Sequence, residues 1–99
     1  MRTDFGNFIN GEWVDASSGE TFESLNPADR TEVLGTFARG GPADIDRAVQ
    51  AAVAAYPDWM KTPAPTRADY VLRVALLLEE RKEELSEVMT REMGKTLKE

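Results

Sequence analysis

The 99-residue sequence contains no cysteine and no histidine. Without cysteine there is no disulfide, no thiolate metal ligand and no thiol nucleophile. Without histidine the chain loses the commonest general base near neutral pH and the commonest metal ligand. Long hydrophobic runs are missing too. The longest, Val74-Ala75-Leu76-Leu77-Leu78, falls far short of the about 20 apolar residues that cross a bilayer. The opening MRTDFGNFINGEW holds no apolar core of the kind a signal peptide needs. Basic residues are outnumbered, 12 against 18 acidic, for a net charge of −6. They are also scattered, whereas phosphate binding wants clustered Lys and Arg. These absences predict a cytoplasmic protein with neither a nucleic acid nor a membrane as partner. They also leave no complete catalytic constellation.

What is present is organised around Thr66 to Lys95, a stretch free of proline and, until Gly94, of glycine. Leu, Glu, Arg, Ala and Met dominate it, all good helix formers. Val71, Leu72, Ala75, Leu78, Leu85, Val88 and Met89 recur at steps of mostly three and four. The apolar stripe lapses over Glu79 to Glu84, which predicts a break near Glu80 to Lys82. Gly94 is the expected C-cap. Ahead of this block, Thr62 is the expected N-cap, with Pro63 in the first turn.

The preceding residues divide at about position 41. Residues 1–41 read as a hairpin and further short strands, and residues 42–99 as helices. Phe8-Ile9-Asn10-Gly11-Glu12-Trp13-Val14 predicts a tight hairpin, because Asn-Gly tolerates the two positive φ angles of a type I′ turn. Thr21 to Leu25 and Glu32 to Ala38 are expected strands, separated by the Asn26-Pro27 turn. A helix is expected from Pro42, with Gly41 as N-cap and Asp44 and Asp46 at the positive end of its dipole. Ile45, Ala48, Val49, Ala52, Val53 and Tyr56 form its apolar stripe. Pro57 is expected to end it, leaving Trp59 in a short connection.

The apolar surface is larger than a 99-residue domain can hide. Tyr70, Val71, Leu72, Val74, Leu76, Leu77 and Leu78 cover most of a helix circumference, and a helix apolar nearly all round is normally buried in something larger. Each large apolar side chain left exposed forgoes about 1.5–3 kcal/mol of burial. The expectation is a chain that opens a larger protein or forms half of an obligate assembly, with Lys95-Thr96-Leu97-Lys98-Glu99 as the first turn of a further helix.

Several local patterns imitate functional motifs. Gly94-Lys95-Thr96 looks like the end of a phosphate-binding loop, but Met89 stands where that loop needs glycine. Glu79, Glu80, Glu83, Glu84 and Glu87 alternate with Arg81 and Lys82, the pattern of a solvated face. Trp13 and Trp59 could stack a ligand ring but are expected to be core. Gly40-Gly41 lacks the spacing of a dinucleotide fingerprint.

Taken together and in order, these pieces resemble the N-terminal portion of the NAD(P)-dependent aldehyde dehydrogenase superfamily. The carriers are Phe8 to Val14, Asn26-Pro27-Ala28, Val33-Leu34-Gly35, Asp44 to Val49 with Ala51-Ala52, Trp59, Arg67 with Leu72, Ala75 and Leu78, and Glu92-Met93-Gly94-Lys95. The resemblance implies an α/β fold with a Rossmann-like coenzyme domain, of which residues 1–99 would be the N-terminal part. It also implies NAD or NADP as coenzyme, an aldehyde or semialdehyde as substrate, a homo-oligomer, and the rest of an enzyme chain as partner. In the family a Cys attacks the aldehyde, hydride passes to the nicotinamide, and a Glu activates water. None of those positions falls in residues 1–99, so no catalytic and no coenzyme-binding residue is assigned here. By match, the resemblance places a monovalent-cation site at the backbone oxygens of Ser24 and Leu25 and the carboxylate of Glu92, a set of hard oxygen donors. Two readings from other classes stand beside it. One is a small interaction domain that offers the Val71–Leu78 face to a partner helix. The other is a ligand-binding module using Trp13 and Trp59.

Overall fold

The computed structural model describes residues 3–98. Strands come first: β1 (Asp4–Phe5), β2 (Asn7–Ile9), β3 (Glu12–Val14), β4 (Thr21–Leu25) and β5 (Val33–Ala38). Three helices follow: α1 (Pro42–Lys61), α2 (Ala64–Glu80) and α3 (Lys82–Met93). The last strand ends at Ala38, the first helix begins at Pro42, and the last helix ends at Met93.

Strands β2 and β3 pair antiparallel across Asn10-Gly11, with Phe8 opposite Trp13. Asn10 has φ 52° and Gly11 φ 79°, the positive pair that a type I′ turn requires and that Asn-Gly supplies at least cost. The other sheet has the order β1-β5-β4. Strand β4 runs antiparallel to β5, and β1 lies parallel to β5 on its other side. Strand β1 is too short to announce itself in the sequence. Its place is fixed by packing: Phe5 stacks on Phe37 with ring centroids 4.9 Å apart, and Phe37 stacks on Phe22 at 5.7 Å. Offset aromatic pairs of this kind favour a fixed register. The backbones of β1 and β5 come close enough that a Cβ on Gly35 would lie 2.8 Å from the Thr3 carbonyl oxygen.

Helix α1 departs from expectation at its end. Pro57 lies inside it, and the helix continues to Lys61. Proline removes one intrahelical hydrogen bond, but the final turn has compensating contacts. Thr62 N–H donates to the carbonyls of Asp58 and Trp59, and the Thr62 hydroxyl donates to Asp58 O at 2.8 Å. The Trp59 ring lies 6.0 Å from Tyr70 of α2. Trp59 thus belongs to the last turn of α1, and Thr62 caps that C-terminus instead of opening α2. The N-cap of α2 is Pro63. The expected break falls at Arg81, between α2 and α3, and Gly94 closes α3 with φ 73°. Lys95 and Thr96 are irregular and Leu97-Lys98 a turn, not a helix. Glu99, the last residue of that expected helical turn, lies outside the described residues.

Burial is sparse. Among the described residues only Ala16, Gly35 and Asp44 are buried. Trp13 is 52% exposed and Trp59 43%, so neither is a core residue of this chain. Every residue from Val71 to Glu80 is exposed. The radius of gyration is 16.9 Å, against about 13 Å for a compact domain of this length. Among the described residues no helix is long and apolar enough to cross a membrane.

Candidate functional site

Two polar junctions hold the strands to the helices. At the first, Asp44 sits in the first turn of α1 and is 5% exposed. Its Oδ2 accepts from Gly41 N–H at 2.9 Å, the reciprocal contact that satisfies a free donor at a helix start. Its Oδ1 accepts from the Ser17 N–H at 2.9 Å and the Ser17 hydroxyl at 2.8 Å. One carboxylate therefore caps α1 and ties down the Ala16–Gly19 loop. These donors hold its pKa below the ordinary 3.8, the Gly41 N–H contributing most, then Ser17, with Arg47 adding a smaller Coulomb pull. The Gly41-to-Asp44 spacing was the available signal for the cap. Nothing in the sequence announces Ser17, which is 27 residues away.

The second junction joins the turn after β4 to the end of α3. Glu32 Oε2 accepts from the Asn26 amide at 2.7 Å, and Glu32 Oε1 accepts from Arg91 Nε at 2.8 Å. Asn26 Oδ1 in turn accepts from Ala28 N–H at 2.9 Å, which sets the turn. Within the same turn the Asp29 carboxylate accepts from the Thr31 hydroxyl and N–H, and both lower its pKa. The Asn26 amide, and after it Arg91, hold the Glu32 carboxyl below its ordinary 4.5. A Cβ on Gly94 would stand 3.7 Å from Pro27 Cγ, so the cap of α3 abuts the same turn.

The three ligand positions implied by the resemblance are each within two residues along the chain of a member of this second junction. Ser24 pairs with Gly35 in the ladder and Leu25 with Val33, with a register irregularity between Ser24 and Leu25. Leu25 is the last residue of β4, and Asn26 follows it directly. Glu92 lies in the last turn of α3, beside Arg91, and is exposed. Among the described residues no group of three or more acidic side chains is placed to hold a metal.

A groove of about 270 Å³ runs between the hairpin and α1, lined by Phe8, Ile9, Asn10, Ala48, Ala51 and Ala55, among others. The alanines explain it: small side chains on this face keep α1 close to the hairpin yet leave a shallow trough. Trp13 and Trp59 do not share a site. Trp13 pairs with Phe8 at 5.1 Å, and Trp59 pairs with Tyr70. The sequence supplies no thiol and no imidazole to either place.

Residues 13–99 match the model of the aldehyde dehydrogenase family. This chain belongs to that family. The alpha-ketoglutarate semialdehyde dehydrogenase of Haloferax volcanii is 44% identical over 90% of this chain and 18% of its own length. Malonate-semialdehyde dehydrogenase 1 of Bacillus licheniformis is 45% identical over 93% of this chain and 19% of its own. The solved NAD+ complex of an aldehyde dehydrogenase from Bacillus cereus superposes with a TM-score of 0.90 at 37% identity, covering 96% of this chain and 20% of that one. The chain thus spans about a fifth of the length of the relatives it matches. Its strands and helices are those of the family's N-terminal segment, and the Bacillus cereus structure on which they superpose is a complex with NAD+.

Proposed function

We propose that this chain is the opening scaffold of the coenzyme-binding domain of an NAD- or NADP-dependent aldehyde dehydrogenase. The aldehyde it serves is a semialdehyde, as the names of two relatives suggest. The single observation that carries the reading is the superposition on one-fifth of a complete family fold. The exposed helices support it: α2 has no buried residue at all, as expected of a helix whose cover is another part of a larger fold. On this reading the whole enzyme works in the cytoplasm as a homo-oligomer.

The nucleophile, the water-activating carboxylate and the coenzyme contacts come from outside residues 1–99. What these residues contribute is placement. The hairpin, the Asp44 junction and the Glu32 junction fix where α1, α2 and α3 stand against the rest of the domain. The backbone oxygens of Ser24 and Leu25, with Glu92, are proposed to hold a monovalent cation at the second junction. The support is that Glu32 and Arg91 draw the end of α3 to the residue following Leu25, and that all three donors are hard oxygens.

The test is a chimera in which this chain replaces the matched first fifth of the Bacillus cereus enzyme. We expect a soluble protein that reduces NAD+ with a semialdehyde, whereas the 99-residue chain alone does not. An insoluble or inactive chimera, or turnover by the isolated chain, overturns the reading.

A further inference from the structure

The sequence has three asparagines, Asn7, Asn10 and Asn26. An asparagine amide is lost when the backbone nitrogen of the next residue attacks Cγ and closes a five-membered imide. Asn26 is barred from this, because Pro27 has no N–H to give up. Asn7 is hindered by the bulk of Phe8, and it pairs with Val14 inside the ladder. Asn10 precedes Gly11, which has no side chain to obstruct the attack. Both residues are exposed, and a Cβ on Gly11 would meet nothing within 4 Å. Water and base therefore reach the Asn10–Gly11 peptide freely.

The turn itself withholds the reaction. Asn10 and Gly11 have φ 52° and 79°, a type I′ pair, for which ψ of the first residue is about +30°. In an L residue the torsion from Cβ to the next backbone nitrogen exceeds ψ by about 120°. The Gly11 nitrogen is thus turned about 150° from the Asn10 Cβ, nearly opposite it. Ring closure needs the two side by side. The imide forms only when the Asn10 ψ swings round, and that swing breaks the turn. The hairpin that resists the swing is small. Strands β2 and β3 have three residues each and make a two-stranded sheet of their own. Such a sheet is marginal by itself, so it opens locally.

We propose that Asn10 is a modification site gated by the hairpin: the closed turn keeps the amide, and each opening exposes it to irreversible conversion. In the open chain the Gly11 nitrogen gives its proton to base and bonds to Asn10 Cγ. The Cγ–Nδ2 bond breaks, and that nitrogen takes up a proton and leaves as ammonia. Water then opens the imide at one of its two carbonyls. Attack at Cγ leaves aspartate. Attack at the main-chain carbonyl leaves isoaspartate, with the main chain running through Cβ and Cγ. Water is the one reagent consumed. The two products behave differently. Asp-Gly suits the same turn, so the aspartyl hairpin closes again. The isoaspartyl link adds an atom to the main chain within the turn, so Phe8 no longer comes opposite Trp13.

The inference stands on the hairpin alone, so the 99-residue chain tests it without reference to the proposed function. The chain is held at mildly alkaline pH with and without urea, and each asparagine is followed by peptide mapping. In urea Asn10 should convert much faster than Asn7, and Asn26 should not convert. Without urea Asn10 should slow by about tenfold or more, the factor that a local opening costing ~1.4 kcal/mol gives. The same factor should appear in the amide-exchange protection of β2 and β3. Trp13→Ala removes the ring opposite Phe8. It should speed the conversion severalfold without urea and leave the rate in urea unchanged. Should that variant fail to fold, its two rates become equal, which is the same direction. The proposal is overturned if the unsubstituted chain converts equally fast with and without urea, or if Asn10 is no faster than Asn7 in urea. An isoaspartyl chain whose hairpin amides stay as protected as before overturns it too.

Discussion

Asp44 shows how much one side chain can organise. Three hydrogen bonds from two separate segments meet on its carboxylate, and no other acid in the described chain is as buried. Asp44→Ala should free both the start of α1 and the Ala16–Gly19 loop. Asp44→Asn, isosteric but uncharged, should lose less. Melting of the two variants in the chimera checks the order. The same bonds set the pH dependence. Asp44, Asp29 and Glu32 all have folded pKa values below their ordinary 3.8, 3.8 and 4.5. An unfolded chain therefore binds protons that the folded chain resists, and stability falls as pH falls. The contribution of these three carboxylates is complete above about pH 5 and is lost as pH drops through and below their ordinary values. Acid titration of chimera stability should be shallower for Glu32→Gln than for the parent. Equal slopes would mean that Glu32 carries no linkage. Gly35 makes the complementary point about space. Gly35→Ala would press a methyl against the Thr3 carbonyl and the Phe5 ring. Overpacking of this kind costs about 1–3 kcal/mol, which equilibrium unfolding of the chimera would register.

Among the elements, the hairpin and α1 behave differently because different forces decide them. The hairpin is local. Asn10 and Gly11 choose the turn, and the turn sets the register that puts Phe8 opposite Trp13. Gly11→Ala should weaken it by about 1 kcal/mol, since its φ of 79° is costly for an L side chain. Amide exchange confined to β2 and β3 would show the loss, and an unchanged exchange rate would contradict the turn assignment. The end of α1 is not local. Pro57 says stop, yet the Thr62 cap and the Trp59–Tyr70 contact carry the helix one turn further. Helix α3 depends on its ends in a similar way, with Gly94 against Pro27 and Arg91 on Glu32.

On the scale of the whole molecule, the apolar faces dominate. Leu78 is 54% exposed and Glu83 is exposed, so in the isolated chain neither Leu78→Asp nor Glu83→Ala should matter much to folding. In the chimera the two should separate. Leu78→Asp would place an unpartnered charge against the covering surface, while Glu83→Ala alters only a solvated face. Paired melting measurements on chain and chimera check this. If Leu78→Asp is as mild in the chimera as in the isolated chain, α2 is not the covered helix. Hydrophobic-dye binding should likewise be strong for the chain and weak for the chimera.

The sequence by itself determined whatever depends on near neighbours along the chain. It showed the Asn-Gly hairpin, strands β4 and β5, the start of α1 at Gly41-Pro42, the break at Arg81 and the Gly94 cap. Each is set by one or two residues acting on their own backbone. It also made the family legible, because that resemblance lies in ordered short pieces. The absence of any catalytic thiol or imidazole was plain from composition. Only the tertiary structure could decide the rest. Strand β1 exists because Phe5 finds Phe37, 32 positions on. Asp44 matters because Ser17 reaches it, and Glu32 because Arg91 does, across 59 residues. Helix α1 passes Pro57 because Tyr70 lies beside Trp59. The Trp13 and Trp59 rings, apolar enough to predict a core, stay half exposed because burial depends on what stands opposite a residue. Residue type and helical period cannot supply that.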